Sequence, residues 1–251
     1  MILIPESICE NVSDTEIIKT ILKQEHKFGI AVIVPSFDKA EKYIKEGAIP
    51  VNKSGNDIYK IISGFKENYK NKTLVFANRY DGIDLPDNSC RVLILDSVPY
   101  YDSLADRYEE LCRSESEIIR IKTVQKIEQG LGRSVRGEKD YSVILIMGSD
   151  LIRYIRSVTN QKLFSLQTQK QIELGFEIVD MAKEDLTSCD PAKELSLLFA
   201  TINQCLDRDE GWKEYYSSQM NTLEIKSAEK NGLYEILQKE KQAYEFALAR
   251  N

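Results

Sequence analysis

Two short segments of the sequence carry the residues best suited to chemistry on a phosphate group. The first, residues 76–86 (FANRYDGIDLP), follows an apolar run typical of a buried strand. The second, residues 129–136 (QGLGRSVR), holds Arg133 and Arg136 three residues apart, so a helix would place both on one face. Guanidinium groups are planar, permanently charged and forked, and a pair can clamp a phosphoryl group from two sides. The spacing therefore predicts a phosphate-binding arginine pair.

Glycines stand at informative places in both segments. A Gly-Ile-Asp turn ends the first, where it puts backbone amides and the Asp84 carboxylate at the carboxyl end of a strand; such turns are also common in ordinary loops. In the second, Gly130 and Gly132 each weaken a helix by roughly 1 kcal/mol relative to alanine. Their presence predicts a close backbone approach, or a helix start near a ligand.

The sequence lacks the elements that usually hold a nucleotide. It contains no GxxxxGK[ST] motif, and its glycines are too scattered to form a phosphate-cradling loop before a helix. It also contains no DEAH-like run, because the Asp209–Glu210 pair in a loop context is followed by Gly-Trp. A nucleotide that met the arginine pair would have to be held mainly by other residues, in a longer polypeptide or in a partner chain.

The composition is that of a soluble globular protein. Of 251 residues, 42% are hydrophobic and 29% charged, and the net charge of −6 argues against a wholly basic nucleic-acid coat protein but not against a local binding patch. The longest apolar runs are far too short to span a membrane, and the start shows no signal-peptide pattern, so we expect a cytoplasmic protein. Five dispersed cysteines without a CxxC pair predict reduced thiols and no metal site.

The pattern of apolar residues predicts an α/β fold followed by helices. Strand-like runs alternate with helix-like segments in residues 1–150, as in a doubly wound, mostly parallel sheet; the runs are 1–4, 30–34, 49–51, 74–76, 92–95 and 143–147. Helical spacing dominates residues 151–251, which we interpret as a helical extension. Ligands of such sheets bind at the carboxyl ends of the strands, where Ser36, the loop 78–84 and the loop 99–101 fall.

The two segments and their order resemble motifs V and VI of superfamily 2 helicases. The GID wording and the QxxGRxxR form are most similar to the XPD/DinG branch, and Val34-Pro35-Ser36 resembles motif IV. The resemblance covers residues 30–150. It implies the second, C-terminal RecA-like domain of such a helicase, which has the fold of a P-loop NTPase without a P-loop of its own.

The resemblance implies a nucleotide site and its cofactors. Arg133 and Arg136 would be catalytic, reaching across a cleft to the triphosphate, with at least one of them acting as an arginine finger. Gln129, Gly82 and Asp84 would be nucleotide-binding residues. The implied cofactors are ATP and Mg²⁺, bound mainly by an N-terminal P-loop half that this sequence does not contain.

The resemblance also implies a track for single-stranded nucleic acid, expected to be DNA. Ser36, Arg79 and Tyr80 would lie on it, although Ser36 also fits a helix cap and Tyr80 also fits core packing. Trp212 and its neighbouring tyrosines suit a stacking platform or, more commonly, packing between helices.

Two functions are compatible with the sequence, and a third is not. The chain would be the C-terminal motor domain of an ATP-dependent DNA helicase, inactive alone. The alternative is a non-catalytic nucleic-acid-binding or protein-interaction module of RecA-like fold. A small-molecule-binding domain would need a glycine-rich turn after a strand, which the sequence lacks.

Overall fold

A six-stranded parallel sheet forms the centre of the molecule. The structure is a computed structural model that describes residues 1–51, 55–80, 82, 85–101, 103–113, 116–134, 140–184, 186, 190–223, 238–239 and 241–242. The strands are β1 (Ile2–Leu3), β2 (Ile30–Val34), β3 (Ile49–Val51), β4 (Thr73–Ala77), β5 (Val92–Asp96) and β6 (Val143–Met147). Their order is β1-β6-β5-β2-β4-β3, and every neighbouring pair is parallel. The predicted doubly wound, RecA-like α/β fold is confirmed.

Eleven α-helices belong to the described residues. They are α1 (Pro5–Ile8), α2 (Asp14–Lys23), α3 (Phe37–Lys45), α4 (Gly55–Glu67), α5 (Leu104–Cys112), α6 (Glu117–Leu131), α7 (Ser149–Arg156), α8 (Val158–Gln161), α9 (Leu166–Glu184), α10 (Pro191–Leu206) and α11 (Glu210–Met220). A short 3₁₀ turn spans Asp87–Ser89. No described helix combines the length and the apolar character needed to cross a bilayer.

Alternate residues of the strands face two separate cores. From β2, Ala31 and Ile33 pack into a core shared with α6 and α7, whereas Val32 and Val34 pack into one shared with α2, α3 and α10. Because both faces of the sheet are covered, β2, β4, β5 and β6 are buried along their whole length, and they are apolar throughout except for Thr73 at the start of β4 and Asp96 at the end of β5.

Helices α7 to α11 belong to the same compact unit as the sheet, which extends from Met1 to Met220. Helix α9 contacts β1, and α10 contacts α1. Residues Asn221–Asn251 form a second unit, of which 238–239 and 241–242 are described as helical. The division into a domain 1–150 and an extension 151–251 remains a prediction.

One predicted helix is shorter than its apolar pattern. The spacing predicts a helix from Ser13 or Asp14 to about residue 27, but α2 ends at Lys23, with Ser13 as its N-cap. Tertiary hydrogen bonds end it early: the His26 amide donates to Asn71 Oδ1 at 2.7 Å, and the Asn71 amide donates to the His26 carbonyl at 3.2 Å. These bonds hold the chain in the extended conformation that leads into β2.

Candidate functional site

The segments that follow β2, β4, β5 and β6 meet at one edge of the sheet, which we call the carboxyl edge. Ser36 follows β2, the loop that begins at Asn78 follows β4, and residues 97–101 follow β5. The pattern of strands predicted this clustering, because the carboxyl ends of parallel strands share one edge.

Ser36 begins the helix after β2. Its backbone is extended, and its Oγ accepts a hydrogen bond from the Lys39 amide at 3.3 Å, so it is the N-cap of α3. The helix-cap role that the sequence left open is therefore present. Contact of Ser36 with nucleic acid remains a prediction.

The loop after β4 leaves the strand through a left-handed residue. Asn78 has a φ of +51°, and its amide donates to the Val34 carbonyl at 2.7 Å. Arg79 is half-buried, and with the residues that the structure describes it makes no hydrogen bond or ion pair. Gly82 is exposed and has a φ of +70°, a conformation that favours glycine. Asp84 lies outside the described residues.

Tyr80 packs into the core at the end of this loop. Its side chain is 1% exposed, and an added Cβ at Gly130 would lie 3.0 Å from its Cδ1. Burial raises the pKa of the phenol, and the phenolic oxygen has no hydrogen-bond partner among the described residues. The core-packing alternative is thus present in this structure, and the base-stacking role is untested.

Helix α6 brings the second segment against the first. It ends at Leu131 with Gly132 as its C-cap, so Arg133 lies beyond the helix. The sequence predicted that a helix would orient the arginine pair, but the helix does not include Arg133. Its Nε–H is instead shared between the carbonyl oxygens of Tyr80, at 2.8 Å, and Gln129, at 2.9 Å.

Gln129 itself is exposed one turn before the arginine. Arg136, the second member of the pair, falls outside the described residues. Gly130 provides the predicted close approach, because an added Cβ would also lie 3.2 Å from Leu95 Cδ1. The two segments that sequence reasoning singled out are thus in direct contact at the carboxyl edge.

Sequence reasoning missed Lys126, which lies on α6 one turn before Gln129. Its ammonium group donates to Asn78 Oδ1 at 3.0 Å and to the carbonyl of Tyr100. It also lies 5.4 Å from the ring centroid of Tyr80 and 5.6 Å from that of Tyr101. Its spacing of three residues from Gln129 was the available signal, since that spacing puts both on one side of α6.

A second missed cluster surrounds Asp96, the last residue of β5, which is fully buried. Its Oδ2 accepts from the hydroxyl of Tyr43 and pairs with the ammonium of Lys42, both at 2.7 Å. Its Oδ1 accepts from Ser97 Oγ at 2.9 Å. Burial, followed by the Asp96 charge, raises the pKa of Tyr43. The carboxylate therefore holds α3, with Ser36 at its start, against the centre of the sheet. The sequence feature that could have identified this cluster is a charged residue, Asp96, at the end of an apolar strand.

The described residues contain no group of three His, Cys, Asp or Glu side chains that could hold a metal ion. Within the same residues Cys9, Cys90 and Cys205 are buried free thiols, and Cys112 is an exposed one.

The aromatic group of α11 is engaged in packing. The Trp212 ring lies 5.5 Å from that of Tyr216, whose hydroxyl accepts from Gln171 at 3.0 Å. Tyr215 donates to Glu177 at 3.1 Å. These contacts join α11 to α9, so the aromatic cluster packs between helices.

The family of helicase C-terminal domains matches residues 18–168, more than half of the chain. The chain belongs to this family. The match confirms the recognition, made from the motifs, of a C-terminal helicase domain. No curated protein sequence matches the chain significantly.

Three solved structures are similar to the chain. An apo XPD structure has 18% identity and a TM-score of 0.41, covering 61% of this chain and 35% of that one. Xpd4 of S. tokodaii has 20% identity and a TM-score of 0.38, covering 58% and 32%. Domain 2 of the DEAD-box helicase Mss116p, bound to an RNA duplex, has 12% identity and a TM-score of 0.37, covering 82% and 86%. The chain thus spans about a third of the length of the first two structures.

Proposed function

We propose that the chain is the C-terminal motor domain of an ATP-dependent DNA helicase. In this role it supplies the arginine finger and one wall of the channel for single-stranded DNA. The observation that carries the proposal is the shared hydrogen bond of Arg133 Nε with the carbonyls of Tyr80 and Gln129, because it joins the nucleotide-facing and nucleic-acid-facing segments.

On the nucleotide side, Arg133 and Arg136 stabilise the charge that develops on the transferred phosphoryl group. Gln129 lies one turn before Arg133, and Gly82 and Asp84 meet the nucleotide from the loop after β4. ATP and Mg²⁺ are bound mainly by the P-loop half, since this chain has no GxxxxGK[ST] motif. The side chain of Arg133 suits an incoming triphosphate, because the hydrogen bonds of its Nε–H fix the orientation of the guanidinium group.

On the nucleic-acid side, Ser36 and Arg79 contact the backbone of the strand. Arg79 suits this role because it lies at the carboxyl edge and makes no ion pair with the residues that the structure describes. Tyr80 supports the same loop from inside the core. The acidic net charge of −6 opposes long-range attraction, so the isolated domain binds weakly and without sequence preference, and the cytoplasm is its expected compartment.

The rival proposal is a non-catalytic binding module that kept the fold but never meets a P-loop partner. One observation separates the two. A GxxxxGK[ST] motif and a DEAH-type box upstream in the same reading frame would establish the motor, and a reading frame without them would favour the module.

Arg79→Ala should weaken binding of single-stranded DNA and lower its dependence on salt. Each lost phosphate contact reduces the slope of log K against log salt by about 0.7 for single strands. The measurement is a fluorescence-anisotropy titration of a labelled oligothymidine at several salt concentrations. Lys66→Ala is the control, because it removes one exposed charge near the end of α4, before the amino end of β4. If the slope and affinity of Arg79→Ala equal those of the control, the track lies elsewhere, and the aromatic residues around Trp212 are the next surface to test.

A further inference from the structure

Lys126 joins three parts of the carboxyl edge through one ammonium group. It lies on α6, donates to Asn78 Oδ1 in the loop after β4, and donates to the Tyr100 carbonyl in the loop after β5. Hydrogen bonds from a charged donor are stronger than those between neutral groups. The two loops are more than twenty residues apart in sequence, so this tie is a tertiary one.

The bond to Asn78 acts on a residue that is already constrained. The hydrogen bond from its amide to the Val34 carbonyl holds its left-handed backbone, and Lys126 orients its side chain. Arg79 is the next residue. The position of Lys126 therefore bears directly on where the proposed nucleic-acid contact stands.

The loop after β5 also makes hydrogen bonds to α6 through Tyr101. The Tyr101 hydroxyl lies 2.7 Å from Thr123 Oγ1 and 3.2 Å from the Ile119 carbonyl. Thr123 and Ile119 lie one and two turns before Lys126 on the helix. One turn after Lys126, α6 carries Gln129, and Arg133 follows the helix end. Both loops are thus tied to the helix that delivers the arginine.

We propose that Lys126 is a positioning residue that couples the loops after β4 and β5 to Gln129 and Arg133. The proposal rests on the proposed motor function. A strand that binds Arg79 fixes the Asn78 loop, and Lys126 transmits that position to α6. Arg133 is then held at the cleft in the geometry that phosphoryl transfer needs. Lys126 itself touches neither nucleotide nor phosphate.

Hydrogen exchange of the isolated chain tests the tie without any ATPase. Lys126→Met keeps the unbranched stem between the tyrosine rings and removes the charge. Amides in residues 76–80 and 97–101 should exchange about tenfold faster or more, since two charge-assisted bonds are lost. Lys122→Met is the matched control, because Lys122 lies one turn earlier on α6 and pairs with Asp106 and Glu109 on α5. It should leave both loops unchanged.

The coupling itself is measured with the P-loop half added. Lys126→Met should lower the DNA-stimulated kcat roughly 2- to 30-fold with little change in the KM for ATP, while Lys122→Met should match the wild type. Unchanged exchange in both loops, equal acceleration in both variants, or an unaltered DNA-stimulated kcat would each overturn the proposal. A salt slope lowered by about 0.7 would do so too, because Lys126 would then be a phosphate contact. If the wild-type pair hydrolyses no ATP, the motor function fails, and the exchange measurement still decides whether the tie exists.

Discussion

Arg133→Ala should lower the kcat of the assembled motor about 10³-fold or more, with little change in its affinity for single-stranded DNA. An arginine finger contributes on the order of 10³–10⁵ in rate, because it stabilises charge that develops only in the transition state. Arg136→Ala should behave in the same way. The measurement is steady-state ATP hydrolysis by this chain combined with its P-loop half, at saturating DNA.

Two comparisons make this result specific. Arg133→Lys keeps the charge but loses both the forked geometry and the Nε–H that the Tyr80 and Gln129 carbonyls share, so it should also be severely impaired. Arg79→Ala should show the opposite pattern, a loss of DNA affinity with a much smaller loss of kcat at saturating DNA. An Arg133→Ala protein with intact ATPase and weakened DNA binding would make this arginine a backbone contact, and the assignment would be wrong.

Gly130→Ala should lower the free energy of unfolding by about 1–3 kcal/mol, the usual cost of overpacking a core. The new methyl group would lie 3.0 Å from Tyr80 Cδ1 and 3.2 Å from Leu95 Cδ1, and both side chains are fully buried and unable to move aside easily. The added methyl group should displace α6. Because Arg133 follows the end of α6, this displacement should separate Arg133 from the Tyr80 carbonyl. Urea unfolding of the isolated chain measures the stability.

The neighbouring glycine supplies the control. Gly132 has a φ of −73°, and an added Cβ would lie 3.5 Å from the Glu128 carbonyl, an ordinary contact. Gly132→Ala should therefore change the stability by less than about 0.5 kcal/mol, as at most surface positions. Equal stability of the two variants would show that Gly130 is not a close-approach position.

Much of the fold could be predicted because its strands are buried on both faces. Residues 30–34 and 143–147 form strands with the predicted bounds, and α5 spans the residues 104–112 for which the sequence has a helical pattern. Ser13 and Ser36 cap helices as their types indicate, because a side-chain oxygen can satisfy a free amide of the first turn. These are local or strongly periodic signals, and tertiary contacts do not oppose them.

The interactions within the site could not be predicted in the same way. Lys126 and Asp96 draw their importance from partners far away in sequence, Asn78 and Tyr43 among them, and no local pattern identifies such pairs. Gly132 ends α6 before Arg133, so the helical spacing of the two arginines does not orient Arg133, and Arg136 lies outside the described residues. Arg133 instead contacts the carbonyl of Tyr80, which is more than fifty residues away in sequence.

Phosphate release from ATP tests the central claim most directly. It should be measured for this chain alone, for the P-loop half alone, and for both together, each with and without single-stranded DNA. We predict DNA-stimulated hydrolysis only when both are present, since this chain lacks a phosphate-cradling loop. A DNA-stimulated turnover near 1 s⁻¹ by this chain alone, at the low end of the roughly 1–100 s⁻¹ typical of kinases, would contradict the account.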